Sequence, residues 1–379
     1  MWFEELKNGK FAFYEKYTDR FTEKSKRVSV TLTSKSNQAQ NKAQRILSDK
    51  IKERNLRKDN LKLTWDVLYD EWWNIYKNTV KYNTRALRIT SKHKIDQYIP
   101  SDMLVTKINT IFITKIINDL YYEKNYSYSY VSSIFALISL IFKYSLQQEY
   151  IIVNPLDNVH LKKKPTTLSE MDTKNNKYLE HDELIEVLQL SYSKNETYGR
   201  LFEFMALTGL RIGEAVALQS SSIKGATAKI SSTYNHNNGK LETPKNEYSY
   251  RSISLNKRCL VILEEQKQFN KILATNKDFK NQSFIFSNRF GNPINVTYLN
   301  TFFRKSIQPN LVITQKNISS HIFRHTHVAI LTELGLPLKS IMQRLGHNNP
   351  KTTLSVYSHI TENMKKNMEE KINLINLDV

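Results

Sequence analysis

Apolar and polar residues alternate along three short stretches at the start of the chain. WFEEL, KFAFYEKY and KRVSVTLT have the two-residue period of half-buried strands, and KNGK between the first two is a turn sequence. From Ser36 to Arg54 the period becomes helical, with Ala39, Ala43 and Leu47 on one face. Residues 1–56 are therefore predicted to form a small domain of three strands and one helix.

Residues 62–160 keep the helical period throughout. TWDVLYDEWWNIYKNTV is followed by ITKIINDLYYEKN and SYVSSIFALISLIFKYSLQQEYI, so an all-helical domain is predicted. The first helix carries an aromatic face that we interpret as core packing: Trp65, Leu68, Tyr69, Trp72 and Tyr76. The connection after it is basic and could bind phosphates through Lys77, Lys81, Arg85, Arg88, Lys92 and Lys94.

The third part of the chain mixes helices with short strands. Residues 161–176 are polar, basic and aperiodic, which predicts a linker. Residues 177–379 begin with the helical YLEHDELIEVLQL, and TAKISSTY, GKLETPKNEYSYRSISL and SFIFSNRFG supply short strands. The predicted fold class is α+β multidomain: a three-stranded sheet plus helix, an all-helical domain, and a mainly helical domain with a small β-sheet.

The net charge of the chain says more about its possible functions than its overall composition does. Lys and Arg number 56 against 36 Asp and Glu, a net charge of +20 on 379 residues. Such an excess is typical of proteins that bind nucleic acid, although a protein from a lysine- and asparagine-rich proteome has it without such a partner. Cys259 is the single cysteine, which excludes an internal disulfide. The apolar run from Ile134 to Phe142 is too short to span a bilayer, so we expect an intracellular, soluble protein.

Two strings in the last domain hold arginines with candidate chemistry. TGLRIGEAVAL places Arg211 after a glycine-containing turn at the start of a helix, where a guanidinium can meet an anion or form a structural salt bridge. SSHIFRHTHVAIL puts His321 and Arg324 on one helical face. Its three histidines lack an acidic ligand at suitable spacing, which argues against zinc. We expect His325 to be a hydrogen-bonded core histidine.

Two further strings hold a lysine, a histidine and a tyrosine. TPKNEYSYRSISL places Lys245 near the tip of a predicted hairpin, from which a lysine can reach a site as a proton donor. Lys240 lies on the same predicted hairpin and is an alternative. RLGHNNPKTTLSVYSH places His347 ten residues before Tyr357.

These strings give six side chains in one order: Arg211, Lys245, His321, Arg324, His347 and Tyr357. That order resembles the tyrosine recombinases, the phage integrase family. The resemblance covers residues from about 175 to 379 and extends loosely to the helical segment, through TWDVLYDEWW and EYIIVNPLDNV. It points to integrases of temperate phages and conjugative elements, which carry an N-terminal sheet domain that binds arm-type DNA sites.

The resemblance implies breakage and rejoining of DNA without a metal or other cofactor. Arg211 and Arg324 would bind the non-bridging oxygens of the scissile phosphate and stabilise the transition state. Tyr357 would attack the phosphorus and form a 3′-phosphotyrosine, which conserves the energy of the broken bond.

The remaining residues of the set would move or hold protons. By resemblance, His321 helps to deprotonate the tyrosine, Lys245 protonates the departing 5′ oxygen, and His347 donates a hydrogen bond to the phosphate. The implied partners are double-stranded DNA with core and arm-type sites, the other protomers of a homotetramer on DNA, an excision factor and a host DNA-bending protein. No membrane partner is implied, and the expected location is the bacterial cytoplasm at the nucleoid.

The tail after Tyr357 has an apolar stripe at helical spacing, which consists of Met364, Met368, Ile372 and Ile375. A helix this short must bury its stripe, either on its own domain or, as the resemblance suggests, on a neighbouring protomer.

Two other functions remain open from sequence. A type IB topoisomerase-like enzyme would nick and reseal one strand with the same chemistry. A basic DNA-binding regulator would have no use for six reactive residues in this order.

Overall fold

A computed structural model describes residues 1–19, 24–60, 63–165, 178–243, 247–280, 283–347 and 353–354. By contacts the chain forms two compact units, Met1–Lys164 and Pro165–Val379. Four predicted features lie outside the described residues: Lys245, Tyr357, residues 166–176 of the predicted linker, and the tail with its apolar stripe.

The first unit begins with the predicted sheet. Three antiparallel strands pair in chain order: β1 (Trp2–Glu5), β2 (Phe11–Thr18) and β3 (Ser25–Leu32). One face of the sheet buries Phe13 and Val28 against helix α1 (Asn37–Asn60), where Ala43 and Leu47 are fully buried. The alternation in the sequence therefore places the apolar face correctly, because successive side chains of a strand point to opposite faces.

A second core in this unit is mainly helical. It is built by α2 (Trp65–Tyr76), α3 (Tyr82–Ile95), α4 (Thr110–Asn118) and α5 (Tyr128–Gln147). The predicted stripe on α2 is confirmed, since Trp65, Leu68, Tyr69 and Trp72 are buried. By length and composition alone, helix α5 could cross a membrane. The run from Ile134 to Phe142 considered in the sequence is only part of this helix. Six of its apolar residues are buried in this helical core, which accounts for its apolar character.

The predicted basic connection is largely helix α3, and one of its lysines has a structural role. Lys92 is 8% exposed, and its ammonium contacts Asp66 at 2.9 Å and Asp96 at 2.6 Å. Its Nζ also lies 4.6 Å from the centre of the Tyr69 ring. The prediction that this residue binds phosphate is therefore wrong, because its charge is already neutralised inside the unit.

The second unit is mainly helical. Its helices are α6 (His181–Lys194), α7 (Glu196–Thr208), α8 (Ile212–Ala215), α9 (Lys257–Leu273), α10 (Val296–Phe302), α11 (Ser320–Glu333) and α12 (Leu338–Leu345). Helix α7 is central: Phe202 stacks on Phe323 of α11 with ring centres 5.1 Å apart. Asparagine side chains cap α7, α9 and α10 by accepting backbone N–H bonds, as expected of N-cap residues.

Two small sheets complete the second unit. The strands are β4 (Ile223–Lys224), β5 (Thr227–Ile230), β6 (Thr233–Asn235), β7 (Lys240–Glu242) and β8 (Arg251–Ser254). The order is β4–β5–β8 in one sheet and β6–β7 in the other. This arrangement confirms the predicted fold class.

Two local predictions are wrong. β7 pairs with β6 and β8 pairs with β5, so the predicted hairpin of β7 and β8 is wrong; Lys245, which stands between these strands in sequence, lies outside the described residues. The hairpin is β6–β7, and Lys240 pairs with Asn235 beside its turn. SFIFSNRFG forms isolated bridges, such as Gln219 with Phe284, instead of a strand, because its backbone contacts loops rather than a strand edge.

Candidate active site

A left-handed glycine turn places Arg211. Helix α7 ends at Gly209, whose φ of +69° suits glycine. A Cβ at Gly209 would lie 2.6 Å from a ring carbon of His327 and 2.7 Å from Leu345, so only glycine fits this close approach. Two residues later Arg211 is the N-cap of α8, with its side chain 38% exposed. The predicted setting of Arg211 is thus confirmed.

Arg324 comes to the same turn from helix α11. The residue is 5% exposed, and its guanidinium donates to the carbonyl oxygens of Gly209 at 2.7 Å and Leu345 at 2.8 Å. Burial, followed by the charge of Arg211, lowers the pKa of Arg324 to about 9. The group therefore stays cationic at neutral pH and is held rigidly by backbone atoms.

A buried carboxylate links Arg211 to a further arginine. Glu214 is 4% exposed and accepts from Arg211 Nη1 at 2.9 Å and from Arg251 Nη2 at 2.9 Å. Burial would raise the pKa of Glu214, but the hydrogen bonds and charges of Arg251 and Arg211 outweigh it and lower that pKa. Arg211, Arg251 and Arg324 set three positive charges against one negative charge, so the site keeps an excess of two positive charges.

Arg251 also holds the segment that carries His347. Its Nε donates to the carbonyl of Arg344 at 2.7 Å, at the end of helix α12. The helix then stops at Gly346, where φ is +68° and a Cβ would lie 2.7 Å from the carbonyl oxygen of Tyr248. His347 follows directly.

His347 contacts Arg324 on one side of its ring and a threonine on the other. Its Nε2 lies 2.6 Å from Arg324 Nη2, and its Nδ1 lies 2.7 Å from the hydroxyl oxygen of Thr353. A guanidinium has donors only, so Nε2 accepts and Nδ1 carries the ring proton. Burial and the charges of Arg324 and Arg211 lower the pKa of His347 to about 3, which keeps the ring neutral at physiological pH.

His321 lies on the exposed side of α11, one turn before Arg324. Desolvation, followed by the charges of Arg324 and Arg211, lowers the pKa of His321. A neutral imidazole at this position can accept a proton at neutral pH.

The core histidine of α11 is not the residue expected from sequence. His325 is half-buried, whereas His327 is 4% exposed. The Nδ1 of His327 donates to the Ala206 carbonyl at 2.8 Å, and its Nε2 accepts from Arg344 at 3.1 Å. The core histidine is therefore His327 and not His325 as predicted, because the buried face of α11 includes position 327.

The structure thus brings together Arg211, His321, Arg324 and His347 from three separate strings. Sequence reasoning missed Glu214 and Arg251, which contribute the buried ion pair, and Thr353. The one signal for Glu214 was its place three residues after Arg211, where its carboxylate accepts the Arg211 backbone N–H at 3.0 Å.

Comparisons with known proteins agree with this arrangement. The family model described as the phage integrase family matches residues 177–364. The prophage ps2 probable integrase of Lactococcus lactis subsp. lactis (strain IL1403) is 35% identical over 385 residues, covering 98% of this chain and 99% of that protein. The integrase of Staphylococcus phage L54a is 31% identical, covering 86% of this chain and 98% of its own length.

Solved structures share the fold at lower identity. The Tn1549 transposon integrase in complex with transposon right end DNA has a TM-score of 0.63 at 18% identity, covering 82% of this chain and 100% of that one. A lambda integrase tetramer bound to a Holliday junction has a TM-score of 0.61 at 17% identity, covering 93% and 94%. These two likenesses concern the fold.

Fold, site and relatives together define a class: the protein is a tyrosine-type site-specific recombinase. The chain belongs to the phage integrase family. This result favours the recombinase over the topoisomerase-like enzyme and over the non-catalytic regulator.

Proposed function

We propose that this recombinase integrates and excises a bacterial mobile element, and that Tyr357 forms the 3′-phosphotyrosine bond. The observation that carries the proposal is the meeting of Arg211, Arg324 and His347 at the Gly209 turn, where Arg324 and His347 lie 2.6 Å apart. Two guanidinium groups and a neutral imidazole suit a phosphodiester, whose two non-bridging oxygens share one negative charge.

The arginines make the phosphorus susceptible to nucleophilic attack. A phosphodiester repels nucleophiles through its charged oxygens, and the pentavalent transition state gathers further negative charge on them. Arg324 is rigid, while Arg211 is partly exposed and can meet the incoming phosphate. Glu214 holds Arg211 without neutralising the site, because Arg251 shares its charge.

Proton transfer is assigned to His321 and Lys245. His321 takes the phenolic proton of Tyr357. Its lowered pKa keeps the imidazole neutral, so a ring nitrogen is free to accept that proton. Lys245, in the connection between β7 and β8, gives a proton to the departing 5′ oxygen. His347 orients the phosphate.

We assign arm-type DNA binding to the first 56 residues. The face of the sheet opposite Phe13 carries Trp2 stacked on Tyr14, with ring centres 5.6 Å apart. Arg27 lies 5.6 Å from the Tyr14 ring centre, and Lys16 pairs with Arg27 across the strands. Cations supported by aromatic rings on an exposed sheet face suit phosphates and base edges in a groove.

Residues 62–160 are assigned to the core site, and a homotetramer is proposed as the working assembly. A lambda integrase forms a tetramer on a Holliday junction, which supports the same state here. The tail stripe of Met364, Met368 and Ile372 would pack on a neighbouring protomer. Removing residues 363–379 should then weaken strand exchange but leave single-site binding unchanged. Wild-type exchange by the shortened protein would refute this docking.

Helper proteins and location follow from the same function. An excision factor and a host DNA-bending protein would set the direction of recombination, and the enzyme would act at the nucleoid in the cytoplasm.

A nicked DNA substrate that traps the covalent intermediate tests the proposed chemistry. The wild-type protein should form an adduct with EDTA present, because the arginines supply the positive charge. Tyr357→Phe should bind the same DNA but form no adduct, since it lacks only the hydroxyl. Adduct formation by the Phe variant, or a strict Mg²⁺ requirement for cleavage, would refute the proposal. Strand exchange between two duplexes distinguishes it from a topoisomerase.

A further inference from the structure

Thr353 is buried beside the catalytic histidine and has no role in the chemistry described so far. It is 0% exposed, and its hydroxyl oxygen lies 2.7 Å from His347 Nδ1. In sequence it stands four residues before Tyr357. A buried hydroxyl on a catalytic ring nitrogen determines which nitrogen faces the substrate.

We propose that Thr353 is a positioning residue, which fixes the tautomer and orientation of His347 and so directs Nε2 at the scissile phosphate. The inference rests on the proposed function, in which His347 contacts that phosphate. It stands on two contacts, from Arg324 to Nε2 and from Nδ1 to Thr353.

The donors and acceptors allow one arrangement. Arg324 Nη2 can only donate, so Nε2 carries no proton, and the proton on Nδ1 needs an acceptor, which Thr353 Oγ1 provides. If Nε2 carried the proton, two donors would face each other at 2.6 Å. Arg324 therefore selects the tautomer, and the Thr353 oxygen stabilises it by accepting the Nδ1 proton, which holds the ring in contact with Arg324.

The same contact serves the substrate-bound state. A phosphate oxygen that binds Arg324 competes with Nε2 for the Nη2 donor. The charge of the bound phosphate favours a protonated ring, so Nε2 can take a proton from solvent and donate a hydrogen bond to the phosphate, while Nδ1–H stays on Thr353. Because the threonine bond is used in both states, the ring keeps its orientation during the change. The contact also ties Thr353 to His347, four residues before Tyr357 in the sequence.

Two substitutions separate the hydroxyl from the shape of the side chain. Thr353→Val keeps the volume and loses the acceptor, whereas Thr353→Ser keeps the acceptor. Thr332→Val is the matched control: Thr332 is also buried, but its hydroxyl donates to Val328 within its own helix.

Ring-nitrogen NMR of the full chain, labelled with ¹⁵N-histidine, gives a test that needs no cleavage. His347→Gln identifies the signals. The wild type, the Ser variant and the Thr332→Val control should show a protonated Nδ1 and a bare Nε2. Thr353→Val should lose this pattern. A protonated Nε2 in the free wild-type protein, or unchanged shifts in Thr353→Val, would overturn the proposal.

Adduct formation on the nicked substrate gives the second readout. Thr353→Val should slow it by about tenfold, the effect of one ordinary hydrogen bond, with DNA affinity unchanged. Thr353→Ser and Thr332→Val should stay close to the wild-type rate. Equal slowing in Thr353→Val and Thr332→Val would reduce Thr353 to a packing residue. Absence of any adduct in the wild type would refute the proposed function, while the NMR result would still decide the tautomer.

Discussion

At the scale of single residues, the ion pair between Glu214 and Arg251 supports the site from the interior of the second unit. Both side chains are almost fully buried, at 4% and 6% exposed. Burying charges is costly unless they are paired, and removing one partner of a buried pair leaves the other uncompensated. Glu214 thus couples the position of Arg211 to the stability of the second unit.

Glu214→Gln is expected to lower the free energy of unfolding by about 3 kcal/mol, because Arg251 loses its counter-charge in the interior. It should also slow adduct formation, since Arg211 loses its anchor. Urea unfolding and the nicked-substrate assay measure the two effects. Glu264→Gln is the control, because Glu264 is 56% exposed and faces Lys267. Equal stability of the two variants would contradict the structural role of Glu214.

The pH dependence of cleavage follows from His321. A base must be neutral to accept a proton, and the lowered pKa of His321 keeps it neutral at and above neutrality. The rate constant for adduct formation at low DNA concentration reports the free enzyme. It should fall only below about pH 6.5, the ordinary histidine value. His321→Gln should lack this acidic decline. A decline that begins above pH 7 would argue against His321 as the base.

The sequence predicted the residues proposed to bind the phosphate better than the residues that hold them in place. Arg211 and Arg324 occur in strings with a family resemblance. Glu214 looks like an ordinary first-turn acid of a helix, and Arg251 like a strand residue. Their pairing depends on the tertiary fold, which brings the Arg251 side chain from β8 to Glu214 on α8, and no local sequence pattern records that contact. The same limit explains the histidines: the helical period of α11 alone did not distinguish His325 from His327.

At the scale of elements, the connection between β7 and β8 matters most, because it carries the proposed proton donor. The sequence predicted one hairpin around Lys245, yet the strands on either side belong to different sheets. Short strands pair according to tertiary contacts more than propensity, so their partners could not be predicted. Strands β1 to β3 were predictable because apolar and polar residues alternate along them with the two-residue period of a strand.

Lys245→Ala should slow cleavage of normal DNA but not of DNA with sulfur in place of the departing 5′ oxygen. A thiolate is a better leaving group and needs no proton from an acid. Lys240→Ala is the matched control, since Lys240 pairs with Asn235 in the β6–β7 hairpin. Sulfur rescue of the Lys240 variant in place of the Lys245 variant would reassign the proton donor.

At the scale of the whole molecule, the N-terminal sheet and the catalytic unit should contribute separate DNA contacts. Lys16→Ala with Arg27→Ala removes two exposed cations from the sheet face and should weaken arm-site binding by about tenfold for each residue. Cleavage of a core site should be unchanged. The charge-matched control is Lys42→Ala with Arg45→Ala on α1. Equal losses in both double variants would show a general charge effect instead of a binding face.

The most direct test of the central claim identifies the residue that becomes linked to DNA. The trapped adduct is digested with nuclease and trypsin, and the nucleotide-bearing peptide is sequenced by mass spectrometry. Residues 352–365 form one tryptic peptide, in which Tyr357 is the single tyrosine. Tyr248 and Tyr250, both exposed beside His347, lie on another, residues 246–251. We expect a 3′-nucleotide on Tyr357. A nucleotide on Tyr248 or Tyr250, or a 5′ linkage, would contradict the account.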